Sequence, residues 1–194
     1  MCIRDRLGVG GAQIFRAEST GPLKEGRLTP RISDTAKAFF NIYFAISVLC
    51  AICYHMAGMD WDDAIMHTFT TVSLGGFSSH DAGFGYWSTR AVDYVCVVFL
   101  LFGGINFSMH FLVWKKLSPM LYFKDVESCA WLLTALVLTL LSTFLLVSFE
   151  TYVNVGDAFY YSVTNVIFVI STSGFANTNY GCLLYTSPSP RDTE

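Results

Sequence analysis

"VSLGGFSS" (72–79) interrupts a run of apolar residues, and "ISTSGFAN" (170–177) does the same much further along the chain. Each stretch places small or hydroxyl-bearing residues ahead of a Gly-Phe pair. Each also ends a short apolar segment, "AIMHTFTTVSL" (64–74) or "AFYYSVTNVIFVIS" (158–171). Neither segment can cross a bilayer as a helix, which takes about 20 residues. Each is preceded by one that can: "AFFNIYFAISVLCAICYHMAG" (38–58) and "CAWLLTALVLTLLSTFLLVSF" (129–149). A third long run, "AVDYVCVVFLLFGGINFSMHFLVW" (91–114), follows the first interruption. The repeated order predicts an all-α membrane protein built from helix/pore-loop/helix repeats, an incomplete set of which is present.

Composition agrees: 53% of residues are hydrophobic and 14% charged, a balance that belongs to the bilayer rather than to a soluble domain. The two ends are set aside. "MCIRD" and "CLLYTS" can be encoded by opposite strands of one DNA element that resembles the mosaic end of a sequencing-library transposon, with "PSPRD" as adapter read-through. Residues 1–6 and 182–194 are therefore expected to be adapter-like, and the remainder an internal piece of a longer protein. Of the cysteines inside those limits, Cys50 and Cys53 form a C-x-x-C with no second pair or histidine cluster, so all four are expected as small buried hydrophobes.

Charge sets the sidedness. Arg16, Lys24, Arg27, Arg31 and Lys37 lie in 7–37, and Lys115, Lys116 and Lys124 in 115–128. The loops at 59–63 and 150–157 carry Asp60, Asp62, Asp63, Glu150 and Asp157 without a Lys or Arg, and 77–90 has only Arg90. Short Lys/Arg-rich loops stay cytoplasmic, so both short helices enter from the outside. The expected organisation is the end of a first repeat with a cytoplasmic linker (7–37), a second repeat (38–114), a linker (115–128), and the first helix and pore loop of a third (129–181). "LGVGG" near the start reads as the tail of a preceding membrane helix.

Irregular backbone at membrane depth is tolerated only where protein buries it or where it lines a water-filled path. Its free carbonyls can replace the hydration shell of a potassium ion. Glycine opens backbone angles closed to other residues and permits close approach to an axis. The two interruptions thus read as ion-filter segments.

"TPRISDTAKA", "DAIMHTFTTVSLGGFSSHDAGFGYW", "FLLFGGINFSMHF" and "STSGFANT" together resemble the TrkH-type membrane subunit of Trk/Ktr potassium uptake systems, over nearly all of 7–181. The resemblance implies a potassium-channel-like fold in one chain, with four repeats around one pore in a bacterial inner membrane. It places the filter glycines at Gly76 and Gly174, and the oxygen-bearing positions at Val72, Ser73, Leu74 and Gly75 and at Ser171, Thr172 and Ser173. It also implies a homodimer and a cytosolic TrkA-like nucleotide-binding regulator, with potassium as cargo and neither an organic cofactor nor a nucleic acid. These loops depart from T-V-G-Y-G, which leaves a less selective sodium/potassium pathway or a symporter open as the alternative.

Outside the loops, Gly103-Gly104 is expected to serve close helix packing, with a hinge as the other reading. Asp93 and His110 are expected at the membrane interfaces, and His67 in a hydrogen bond to a neighbouring helix rather than in ion coupling. Asn106 and Asn165 are expected to bond between helices. Asp60, Asp62, Asp63, Asp81 and Asp157 would concentrate cations at the outer mouth, with Asp63 and Asp157 as helix N-caps. Neither H-E-x-x-H nor G-x-S-x-G occurs, so no intramembrane hydrolase is predicted. A receptor or assembly subunit without a pore would not need two such loops.

Overall fold

The computed structural model describes residues 32–87, 89–149 and 154–177. The ends expected to be adapter-like, the "LGVGG" segment and most of the expected first linker lie outside them. Among the described residues the order is α1 (Ile32–Ala57), α2 (Trp61–Val72), a 3-10 turn (Gly83–Tyr86), α3 (Arg90–Gly103), α4 (Phe107–Lys116), α5 (Met120–Lys124), α6 (Val126–Ser148) and α7 (Val155–Ile170). No strand occurs among them. The segments Ala36–Ala57 and Val126–Ser148 are long and apolar enough to span a membrane. Their flanks stay largely uncovered: Phe40, Phe44, Leu133, Leu140 and Phe144 are all more than half exposed, as lipid-facing side chains are.

The run at 91–114 is not one helix, contrary to the sequence expectation. It breaks between Gly103 and Phe107. Two consecutive glycines each cost a helix about 1 kcal/mol relative to alanine. Asn106 then supplies a competing start, its side-chain oxygen accepting from the Ser108 N–H at 3.0 Å as the N-cap of α4. Asn106 therefore caps the helix it begins. Asn165 donates to the Tyr161 carbonyl of its own helix at 2.8 Å.

The chain partitions into two compact units, with α1 and α6 running through both. One comprises residues up to Ala45 and Ile105–Trp131. Here Phe39 packs edge-on to Phe111, and Tyr43 packs against Phe107. Asp125 begins α6 by accepting from the Ser128 N–H at 2.9 Å and its hydroxyl at 2.7 Å, an N-cap worth about 1 kcal/mol. His110 is buried and pairs with the Tyr122 hydroxyl at 2.7 Å.

The other unit comprises Ile46–Gly104 and the residues from Leu132 onward, and it contains both interrupted segments. In it α3 packs on both short helices, α2 and α7. The wholly buried Tyr54 of α1 bonds Thr71 of α2 through their hydroxyls at 2.7 Å, fixing α2 one residue before its end. Phe84 of the 3-10 turn is the hub. It touches the rings of Tyr54, His67, Trp87, Phe168 and Phe175, bringing α1, α2, α7 and the second loop onto one residue. Each such ring pair is worth about 1 kcal/mol beyond its buried area. Cys50 and Cys96 are buried and Cys53 and Cys129 half-buried, all as free thiols.

Candidate ion filter

The two short helices end alike. α2 stops at Val72, and Ser73 is its C-cap in a right-handed conformation; α7 stops at Ile170, and Ser171 takes the same role. The next residue is left-handed in both, Leu74 at φ 58° and Thr172 at φ 59°. Two residues later the pattern recurs, with Gly76 at φ 72° and Gly174 at φ 71°. The amides of Leu74 and Thr172 each return to the carbonyl three residues back, Thr71 and Val169. The Gly75 amide reaches the Thr70 carbonyl, completing a Schellman closure on α2. On α7 the corresponding Phe168 carbonyl accepts from the Gly174 amide at 3.0 Å and from the Ser173 hydroxyl at 3.1 Å. Different side chains thus build one backbone shape. Leu74 and Thr172 hold it at about 1 kcal/mol or more each, since left-handed φ is unfavourable outside glycine.

All the residues predicted for the filter lie on these two turns, and the turns meet. A Cβ added to Gly76 would sit 1.6 Å from the Ser173 carbonyl oxygen, so the backbones touch there with no room for a side chain. The contact continues outward. The Phe84 amide donates to the Ala176 carbonyl at 2.9 Å, and a Cβ on Gly83 would lie 2.5 Å from that same oxygen. A cavity of about 720 Å³ opens over the two turns, lined from both sides by Gly76, His80, Asp81, Gly174, Phe175 and Asn177 among others. Gly103 also has a part here: a Cβ on it would come within 3.1 Å of the Leu74 side chain. Packing is therefore its role, as expected, and the helix breaks immediately after it.

Polar side chains hold the outer limbs of the loops. His67 is wholly buried in α2, with Nδ1 against the Asp63 carbonyl at 2.9 Å and Nε2 against the Ser78 hydroxyl at 2.9 Å. A carbonyl only accepts, so Nδ1 carries a hydrogen. The His80 amide in turn donates to the same Ser78 oxygen. His67 therefore ties its own helix to the loop that follows it, where a neighbouring helix was the expected partner.

Asp63 is not the N-cap of α2; that position is Asp60. The Asp63 carboxylate instead accepts from Ser79 at 2.7 Å and pairs with His80 at 3.1 Å. Burial alone would raise its pKa, but the hydrogen bonds from His80 and Ser79 outweigh this and hold it below the usual aspartate value. His80 stacks flat on Tyr86 at 3.7 Å.

Asp157 likewise sits one turn inside α7, which Asn154 begins, and it pairs with Arg90 at 2.6 Å. The Arg90 and Asn154 hydrogen bonds lower its pKa. Asp93, in the first turn of α3, is buried among protein groups and accepts from the Tyr160 hydroxyl and from Asn177 Nδ2. Its importance was not legible from the sequence, because its partners lie 67 and 84 residues away.

A family model described as "TrkH: Cation transport protein" matches residues 1–179. The chain belongs to this family. Among TrkH relatives, the Trk system potassium uptake protein TrkH of Halomonas elongata is 39% identical over 183 residues, covering 93% of this chain and 37% of the relative. The protein of the same name from Vibrio parahaemolyticus is 39% identical over 176 residues, covering 90% and 36%. The crystal structure of the potassium transporter TrkH from Vibrio parahaemolyticus superposes with a TM-score of 0.75 at 37% identity, over 79% of this chain and 33% of that one. The chain thus spans little more than a third of the length of the curated relatives it matches. The expected fold class, a membrane protein of helix and pore-loop repeats, is that of TrkH.

Proposed function

We propose that this chain is the central part of a potassium uptake protein of a bacterial inner membrane, and that Val72–Gly76 and Ser171–Gly174 are two of four filter segments around one pore. The observation that carries this reading is the meeting of two turns of the same unusual shape, at Gly76 against Ser173. In an extended strand successive carbonyls point to opposite sides. A φ that changes sign from residue to residue removes that reversal, as a carbonyl-lined path requires. Ions would be selected by the number and field of those carbonyls, with potassium as cargo.

The arrangement of repeats around the pore follows from the resemblance, whereas the assignment of 7–37 and 115–128 to cytoplasmic linkers rests on their Lys and Arg residues, and that of 1–6 and 182–194 to adapter-like sequence on how those ends can be encoded. Pairing into a homodimer and docking of a TrkA-like nucleotide-binding regulator on the cytosolic side rest on the resemblance too. A second reading is a monovalent cation pathway or symporter of low selectivity. It is favoured by the departure of both loops, "VSLGGF" and "STSGF", from T-V-G-Y-G.

The test is rubidium uptake by proteoliposomes containing the full-length protein, with potassium and sodium as competitors. Uptake blocked by potassium and indifferent to sodium supports the selective pore. Equal competition supports the less selective pathway, and no uptake at all removes the transport reading.

A further inference from the structure

Each filter turn continues into an outer limb, and in both limbs the third residue after the filter glycine donates to a carboxylate. In the second repeat this is Ser79, whose hydroxyl donates to Asp63 at 2.7 Å. In the third it is Asn177, whose Nδ2 donates to Asp93 at 3.3 Å and to the Thr164 hydroxyl at 3.0 Å. The two acids come from different places. Asp63 belongs to the pore helix of its own loop, whereas Asp93 belongs to α3, the helix that follows the other loop.

Asp93 is 4% exposed and lies one turn into α3. Its Oδ2 takes both the Asn177 amide and the Tyr160 hydroxyl of α7, so one oxygen holds the third pore helix and the residue beyond its filter. Arg90 joins the same helices one turn further out. It pairs with Asp157 and lies 4.6 Å over the Tyr160 ring. A carboxylate is costly to bury unless paired, so this position is expensive for a residue with no more than a packing role. Apolar side chains would join two membrane helices more cheaply.

We infer that Asp93 is a positioning residue for the third filter segment, holding Ser173 and Gly174 in register against Gly76 through Asn177 and Tyr160. Asp93 touches no filter backbone; it acts through Asn177, three residues beyond Gly174. The consequence is a dependence between repeats: the helix after the second filter sets the shape of the third. This inference rests on the filter reading above.

The test uses the full-length protein in proteoliposomes and reads the ratio of potassium to sodium competition for rubidium uptake. The variants are Asn177→Ala, Asp93→Asn, the double variant Asp93→Asn with Asn177→Ala, and the exchanged pair Asp93→Asn with Asn177→Asp. Loss of a hydrogen bond to a charged group predicts about a tenfold fall in the ratio for either single change. The double variant should fall by less than the product of the two single effects, because the two changes share one interaction. The exchanged pair returns a donor and a carboxylate to the same contact and should regain most of the ratio. Four results would overturn the inference: single variants that lower only the amount of membrane-inserted protein while the ratio stays at the wild-type value, effects of the two changes that multiply, a double variant that matches wild type, or an exchanged pair no better than Asp93→Asn. A wild-type protein without potassium preference fails at the earlier step, removing the selective filter itself and Asp93's role with it.

Discussion

Gly76→Ala puts one methyl group into the contact between the two turns. Two costs separate cleanly. The first is local: φ at Gly76 is 72°, and an alanine held there costs about 1 kcal/mol or more. The second is steric. The new Cβ would stand 1.6 Å from the Ser173 oxygen, whereas real Cβ atoms essentially never approach another atom closer than 3.0 Å. No rotamer change relieves this, because both groups are backbone or fixed to it, so one turn must move by more than an ångström. A displacement of that size at a coordinating site costs about 100-fold in well-positioned active sites. A filter in which only one of several segments shifts should lose less, and we expect potassium-over-sodium preference to fall about tenfold, equivalent to about 1.4 kcal/mol. Rubidium uptake with competing potassium and sodium measures this directly, and binding of potassium to detergent-solubilised protein by calorimetry checks it without transport. A Gly76→Ala protein with wild-type selectivity and affinity would falsify the claim that these backbones meet in the working filter.

Gly174→Ala separates a ring from a pair: φ is 71° but nothing among the described residues lies within 4 Å of the added Cβ, so a lone pair of turns predicts strain of about 1 kcal/mol and little loss of selectivity. If a further segment of the full-length protein abuts Gly174 as Ser173 abuts Gly76, the loss in the same competition assay should match that of Gly76→Ala. At Gly103, alanine asks only a flexible Leu74 methyl to give way and should keep uptake within about twofold, while Gly103→Leu should drive Leu74 out of its turn and abolish preference for potassium. Equal behaviour of those two variants would remove the packing role of Gly103. For Asp63, whose pKa is lowered on folding, the stabilising contribution is complete above the ordinary aspartate value and is lost as pH falls through the still lower folded value. Hydrogen exchange at residues 77–80 should show an acid-induced loss of protection below about pH 4, absent in Asp63→Asn; the same acid response in both proteins would assign it to another group.

The helices were legible because apolar length is a strong signal, and the two long spans and two short helices fall within a few residues of where hydropathy puts them. The two interruptions were legible from composition and from their repetition, and both fold as matched turns. What the sequence concealed was pairwise. Asp93 reads as one acid near the start of an apolar run, and only the folded chain brings Tyr160 and Asn177 to it. Asp63 and Asp157 read as N-caps because acids favour the first turn of a helix. Both are in that first turn, but their carboxylates face Ser79 and His80 in one case and Arg90 in the other. The break after Gly103 was visible as a glycine pair. Its dominance over the surrounding apolar pattern depended on Asn106 being free to cap a new helix, a local competition that an average over a window of hydropathy does not register.

In the proposed filter, the polarity of α2 and α7 gives a reason for cation preference that does not depend on any charged side chain. Both helices end at the paired turns, and a helix C-terminus carries the equivalent of roughly half a negative charge from its aligned peptide dipoles. Neither has a basic residue in its last turn to cancel that field, and both have acids in the first turn, where they complement the opposite pole. A carboxylate at the filter would bind a cation more tightly but would also hold it, whereas conduction needs binding weak enough to release. Partial charges from two helix ends, and neutral oxygens from Ser73, Ser171, Thr172 and Ser173, meet both requirements. The same argument explains why the acids that are present, Asp63 and Asp157, stand at the far ends of these helices and are engaged by His80 and Arg90.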